Sequence, residues 1–71
     1  MASTDMIDEK LGKRIKALRE RLHISQQRLA ELLDVARPTI TQIESGGRRL
    51  AAGELLKLSK IFNTSIDKLT D

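Results

Sequence analysis

The sequence predicts an all-α fold, a compact bundle of five helices. Two observations support this prediction at the ends of the chain: apolar residues recur at helical spacing at Leu11, Ile15 and Leu18, and again at Leu55 and Leu58. The third observation is central. The segment at residues 25–44, SQQRLAELLDVARPTITQIE, has the pattern of two short helices joined by a tight turn.

The composition limits the class of protein. A chain of 71 residues is long enough for one small domain and too short for a second. The absence of Cys excludes a disulfide framework and a thiolate metal site. No apolar run approaches the roughly 18 residues of a membrane span, and the first residues lack the order of a secretion signal, so we expect a cytoplasmic protein. With Phe62 as its one aromatic residue, the chain lacks the stacking surface of single-strand binders.

The charge is unevenly distributed. Three acids (Asp5, Asp8 and Glu9) and no base lie in residues 1–9, so residues 10–71 carry a net charge of +6 although the whole chain carries +3. A basic domain favours a polyanionic partner, because neutralising phosphates releases counterions. Many small soluble domains are mildly basic as well, so charge alone leaves both interpretations open.

Residues 1–7 show no periodicity and are predicted to form a flexible N-terminal arm, with the folded domain at residues 8–71. The first helix is expected from about Asp8, because acids favour a helix N-terminus, to near His23. A single His without Cys or a partner at fixed spacing makes no metal or catalytic site. No cofactor motif is found, and we expect no enzymatic activity.

The central segment predicts a helix from about Gln26 to Leu33 and another from about Arg37 to Glu44. Ser25 can cap the first, and Asp34 tolerates the left-handed backbone that the turn requires. The apolar positions of both helices face inward, so the pair forms a helix-turn-helix whose second helix can enter a major groove.

The first turns of a groove-bound helix reach base edges first. Arg37 can donate two hydrogen bonds to a guanine, and Gln42 can pair in the same way with an adenine. Pro38 and the Thr41 methyl group are expected to meet a thymine methyl. The alternative interpretation is that Arg37 is an ordinary surface arginine with no base contact.

Other residues are expected at the phosphates. The N-terminus of the second helix offers free N–H groups to an anion, although glutamines there can also be ordinary solvated residues. The loop after the third helix combines glycines with two arginines and lacks the spacing of a nucleotide P-loop. The predicted phosphate contacts are Gln26, Gln27, Arg28, Thr39, Gly47, Arg48 and Arg49.

The end of the chain predicts two more helices, from about Ala52 to Phe62 and from Ile66 to about Thr70, separated by Asn63 as a left-handed terminator. Neither Ala36 nor Ala51, at the cap positions of the third and fourth helices, can accept a capping hydrogen bond.

The motifs together resemble those of the lambda-repressor and Cro type of helix-turn-helix domain, also called XRE. The resemblance covers about residues 11–69 and includes SQxxLA, the turn, I-x-x-I-E-x-G, and LLKLSKIFNTSIDKL near the end. It implies a five-helix DNA-binding domain from a bacterium, archaeon or phage. It also implies an ion pair between Arg19 and Glu44, and a Gln26 that bonds a phosphate and braces a side chain of the recognition helix.

By the same resemblance we expect a transcriptional regulator, in particular a repressor, that binds double-stranded DNA as a homodimer on a palindromic operator. Leu50, Leu56 and Ile66 are candidates for the dimer surface. Two alternatives remain open: a protein-binding adaptor or antitoxin-like module, and the N-terminal DNA-binding part of a larger regulator with an additional C-terminal domain.

Overall fold

The computed structural model describes residues 2–70, with side chains from residue 9 onward, and contains five helices with no strand in that range. The helices are α1 (Ala2–Arg21), α2 (Gln26–Leu33), α3 (Arg37–Ser45), α4 (Ala52–Phe62) and α5 (Ile66–Thr70). The predicted all-α, five-helix architecture is confirmed. The bounds of α2, α4 and α5 agree with the sequence prediction, and α3 is one residue longer.

Helix α1 differs from its prediction at both ends. It begins at Ala2, whereas the sequence predicts a start near Asp8 after an arm at residues 1–7. No Pro or Gly precedes Gly12, and acids near a helix start favour the macrodipole, so helix can extend through this segment. The predicted flexibility of the arm remains a prediction. At its other end α1 stops at Arg21, and His23 takes the left-handed backbone with φ 59°.

The helix-turn-helix depends on local capping. The Ser25 hydroxyl accepts a hydrogen bond from the Arg28 N–H at 3.0 Å and so caps α2. Asp34 ends α2 with φ 62°, and the Val35 N–H donates to the Ala30 carbonyl at 2.9 Å. Helix α3 then starts after Ala36, which makes no side-chain cap, as the sequence predicts. The whole turn between α2 and α3 is therefore made by residues 34–36.

One apolar core joins the helices. Helix α1 packs on α3 and α5, α2 packs on α3 and α4, and α4 packs on α5. Leu22 continues the helical spacing of Leu11, Ile15 and Leu18, but it lies just past the end of α1 and is 47% exposed. The buried apolar residues are Leu11, Ile15, Leu29, Ala30, Leu33, Ile40, Ile43, Leu58, Phe62 and Leu69.

Helices α1 and α3 approach one another backbone to backbone. A Cβ added at Gly12 would lie 2.3 Å from the carbonyl oxygen of Ile43 and 2.8 Å from that of Glu44, closer than real Cβ atoms come. Gly12 therefore allows α3 to rest directly on α1. This contact sets which side of α3 is covered and which side remains exposed.

Helices α4 and α5 complete the bundle. Asn63 terminates α4 with φ 52°, as predicted, and the Ser65 hydroxyl accepts from the Lys68 N–H at 3.2 Å. The Arg14 guanidinium donates to the Lys68 carbonyl near the end of α5. This bond fastens the short last helix to α1, so α5 is held by both polar and apolar contacts.

Candidate nucleic-acid interface

The outer face of α3 collects all four residues that the sequence predicts to face bases. Ile40, Ile43 and Glu44 occupy the buried side of the helix. Since a helix turns by about 100° per residue, Thr41 and Gln42 between these positions face outward, and Pro38 lies on the same side one turn earlier. The four predicted residues are all exposed and line one open depression of about 390 Å³: Arg37, Pro38, Thr41 and Gln42.

Glu44 and Arg19 are brought together beneath this face. The Arg19 Nε lies 2.7 Å from the Glu44 Oε2, and the Arg19 Nη2 lies 3.3 Å from Oε1. Their side chains are 11% and 4% exposed, so the pair is largely shielded from water. A third donor of Arg19, Nη1, bonds the Ile24 carbonyl at 2.9 Å. One guanidinium therefore joins α1, the turn before α2, and α3.

Gln26 connects that ion pair to the exposed face. Its Nε2 donates to the Glu44 Oε1 at 3.1 Å, and its Oε1 lies 3.5 Å from the Thr41 hydroxyl. A carboxylate can only accept, so the amide of Gln26 must turn its NH₂ group toward Glu44 and its oxygen toward Thr41. The first residue of α2 is thus oriented by α3.

The start of α2 presents the other polar residues predicted at phosphates. Gln27 and Arg28 are exposed, and each contacts Glu31, at 3.5 Å and 3.3 Å respectively. The Arg28–Glu31 pair is open to solvent, and such pairs contribute little to stability. Both side chains are therefore accessible to a ligand. Thr39, the remaining predicted contact outside the loop, is half-buried.

In the loop at residues 46–51, two of the predicted phosphate contacts already have hydrogen-bond partners within the protein. Gly46 ends α3 with φ 81°, and the Gly47 N–H donates to the Gln42 carbonyl at 2.9 Å. That N–H closes the helix, so the predicted backbone donor to a phosphate is already used. The guanidinium of Arg48 is likewise occupied, since Nη1 and Nη2 bond the two carboxylate oxygens of Glu54 at 3.1 Å and 3.0 Å. Arg49 is exposed.

Two pKa shifts follow from these ion pairs. The hydrogen bond to Glu44 raises the pKa of Arg19, with the Coulombic attraction of the same carboxylate adding to it against the opposing effect of burial. The hydrogen bonds from Arg48 lower the pKa of Glu54, and the Ala51 N–H contributes in the same direction. Both shifts favour the charged forms, of the Arg19 guanidinium in one pair and of the Glu54 carboxylate in the other.

Sequence reasoning did not identify Glu54. Its Oε1 also accepts from the Ala51 N–H at 3.0 Å, so it caps α4 from inside the first turn while it binds Arg48. The spacing from Ala51 to Glu54 is that of a capping box without its hydroxyl residue. That spacing is the signal that could have identified it.

The part of the chain that the structure describes contains neither a candidate metal site nor a candidate membrane-spanning helix. No three His, Cys, Asp or Glu side chains there are grouped to hold a metal ion. None of the helices within residues 2–70 has both the length and the apolar character needed to cross a bilayer.

A two-helix motif with an exposed, polar second helix, set in a five-helix bundle, defines a helix-turn-helix domain. A sequence model of the helix-turn-helix family matches residues 15–69. The chain belongs to this family, in its XRE-type branch.

Relatives by sequence are named as regulators of transcription. An uncharacterized HTH-type transcriptional regulator of Rickettsia conorii is 33% identical over 61 residues, which cover 86% of this chain and 49% of that protein. One from Mycobacterium tuberculosis is 34% identical over 58 residues, covering 82% of this chain and 41% of the relative. The chain thus spans half or less of the length of these two relatives. Neither is named for an enzymatic activity.

Solved structures with the same fold are also regulators by name. The restriction-modification controller protein C.AhdI from Aeromonas hydrophila superposes with a TM-score of 0.83 at 28% identity, covering 92% of this chain and 94% of that one. The clp gene regulator ClgR from C. glutamicum has the same TM-score at 19% identity, covering 90% and 82%. At that identity ClgR supports the fold alone.

Proposed function

We propose that this chain is the double-stranded DNA-binding domain of a transcriptional regulator, and that α3 reads sequence in the major groove. The observation that carries the proposal is the shared exposure of Arg37, Pro38, Thr41 and Gln42 on one side of a helix whose other side is buried. The family and the regulator names of the relatives support the same class.

The chemistry of that face suits base recognition. Among the described residues no acidic side chain pairs with Arg37, so its planar fork remains available for the two acceptors of a guanine. The amide of Gln42 can make the matching pair with an adenine. Pro38 and the Thr41 methyl group offer apolar contacts for a thymine methyl. Each correct pair is worth about 1–3 kcal/mol of discrimination.

Contacts to the DNA phosphate backbone would set the position of α3 along the major groove. The start of α2 supplies Gln26, Gln27 and Arg28, and the loop after α3 supplies Arg49; the N-terminal end of a helix favours an anion. Thr39 adds a hydroxyl at the start of α3. Gly47 and Arg48 belong to this set only if their present hydrogen bonds are exchanged for a phosphate.

We further propose that the protein acts as a homodimer on a palindromic operator, chiefly as a repressor that occupies its site. Leu56 is 50% exposed, and Leu50 and Ile66 are half-buried, so these side chains can still bury apolar surface against a second copy. Two recognition helices about 34–36 Å apart would read half-sites one DNA turn apart. The longer relatives also suit a domain that works within a larger regulator.

The test is a selection of bound duplexes from a random pool, followed by sequencing, with the parent chain, Arg37→Ala and Gln42→Ala. We expect the parent to enrich one two-fold symmetric motif. Each variant should lose preference at a different base pair while retaining weaker, sequence-independent binding. Lys60→Ala is the control, because it removes one exposed positive charge from the last turn of α4 rather than from α3.

The outcome separates this function from its alternative. No enriched motif, or the same motif at the same strength in Arg37→Ala and Gln42→Ala, would overturn sequence reading by α3. It would favour a domain that mainly binds protein. A motif without symmetry would contradict only the homodimer.

A further inference from the structure

Arg48 stands in the segment that immediately follows the recognition helix, yet its charge is already matched. Its Nη1 and Nη2 lie 3.1 Å and 3.0 Å from Oε1 and Oε2 of Glu54, a two-pronged arrangement in which both carboxylate oxygens take part. Arginine uses this same planar fork to hold the oxygens of a phosphate. The carboxylate therefore occupies the position that a DNA phosphate would take on Arg48.

Glu54 is held in place for this contact. Its side chain is only 18% exposed, and its Oε1 also accepts from the Ala51 N–H at 3.0 Å. Because Glu54 belongs to the first turn of α4, the carboxylate is anchored at the helix start while Arg48 reaches it from the loop. The lowered pKa of Glu54 keeps the carboxylate charged at neutral pH.

Other arginines near the proposed interface are placed differently. Arg37 is exposed without an ion-pair partner among the described residues, and Arg28 meets Glu31 through a single contact with both side chains more than half exposed. A neutral Arg48–Glu54 pair attracts phosphate far less than a lone guanidinium does, and so contributes little to counterion release.

We infer that Glu54 is an internal competitor for the DNA phosphate that Arg48 can bind, and that it weakens the sequence-independent part of DNA affinity. This inference rests on the proposed function. Glu54 limits binding to non-target DNA, because the competition reduces backbone affinity for every sequence and leaves the base contacts of α3 unchanged. Target and non-target affinities fall by the same factor, so the specificity ratio is unchanged while the time the protein stays bound to non-target DNA is reduced.

The test measures duplex affinity against salt for the parent chain, Glu54→Gln, Arg48→Ala and the double variant. Two duplexes are used: the selected motif and a scrambled sequence of the same composition. Gln at position 54 keeps an acceptor for the Ala51 N–H, and circular dichroism verifies that each variant is folded. Asp67→Asn is the matched control, because it removes one negative charge from an exposed side chain of α5.

We expect Glu54→Gln to bind both duplexes about three- to tenfold more tightly at low salt, with the slope of log K against log salt steeper by about 0.9 for one additional phosphate contact. In the Arg48→Ala background, Glu54→Gln should gain no more than Asp67→Asn does in the parent. That dependence on Arg48 distinguishes competition from a general loss of repulsion between the protein and DNA.

Three results would overturn the inference. Glu54→Gln could bind no more tightly than the parent, or it could gain equally with and without Arg48, or it could tighten only the selected motif. In each case the parent still binds its motif and the proposed function stands. If no variant and no parent chain binds any duplex, the proposed function itself fails, and this inference fails with it.

Discussion

The guanidinium of Arg19 on α1 holds the carboxylate of Glu44 near the end of α3, with 2.7 Å between Nε and Oε2 and only 4% of the Glu44 side chain exposed. The same carboxylate accepts from Gln26 at the start of α2. One buried acid thus connects three helices, and the recognition face lies directly outside this junction.

Replacing Glu44 should therefore destabilise the fold strongly. Glu44→Ala leaves the Arg19 guanidinium and the Gln26 amide without their partner in a shielded position, and we expect a loss of about 3–5 kcal/mol in the free energy of unfolding. Glu31→Ala, which breaks an exposed pair with Arg28, should lose no more than about 1 kcal/mol. Urea denaturation of both variants measures the difference, and equal losses would contradict a buried, stabilising pair.

Gly12 and Gly53 form a second matched comparison. At Gly12 a methyl group would meet the Ile43 and Glu44 carbonyls, which are backbone and cannot move alone, so Gly12→Ala should cost about 1–3 kcal/mol. At Gly53, in the first turns of α4, nothing lies within 4 Å of the added Cβ. Gly53→Ala should therefore stabilise by about 0.4–1 kcal/mol. Thermal unfolding would refute this account if both changes shifted the Tm in the same direction.

Ala36 occupies the N-cap position of α3, but its side chain cannot accept a capping hydrogen bond. Its backbone, with φ −76° and ψ 151°, already has the extended shape of an N-cap residue. Ala36→Ser should repeat at α3 what Ser25 does at α2 and should stabilise the fold by about 0.5–2 kcal/mol. As a control, Ala17→Ser places the same hydroxyl on the exposed side of α1, where it should be slightly unfavourable. Denaturant midpoints for the two variants give the comparison.

Because of the Arg48–Glu54 pair, the free energy of unfolding should decrease as the pH falls into the acid range. The folded-state pKa of Glu54 lies below its ordinary value of 4.5, chiefly through Arg48, with a smaller contribution from Lys57. Its contribution is therefore fully present above the unfolded pKa and is lost as the pH falls through the folded pKa. We expect Glu54→Gln to be less stable than the parent by up to about 1 kcal/mol at pH near 7, a difference that disappears once the pH has fallen below the folded pKa of Glu54.

The same pH measurement in an Arg48→Ala background provides its control. Without the guanidinium, replacing Glu54 should cost less at neutral pH, and the dependence of that cost on pH should become flatter. A parent-minus-variant difference that grows toward acid would contradict the assigned direction of the pKa shift.

Local patterns in the sequence were sufficient to predict the bounds of α2, α4 and α5 and the start of α3. Ser25, Asp34 and Asn63 were predicted as caps or left-handed terminators from the chemistry of their own side chains, and the structure places each in that conformation. Helical spacing also separated the buried Ile40 and Ile43 from the exposed face between them. These features depend on neighbours within about one helical turn, so the sequence expresses them directly.

The hydrogen-bond partners were decided by tertiary structure. The Gly47 N–H donates to the Gln42 carbonyl, and the Arg48 guanidinium binds Glu54. Both contacts depend on the path that the loop takes between α3 and α4. Pairing two charges requires knowing which groups lie within about 4 Å after folding, and the sequence alone does not encode that distance. The pairing of Arg19 with Glu44 was available beforehand only through resemblance to a family. Its burial, and the link to Gln26, came from the packing of α1, α2 and α3 together.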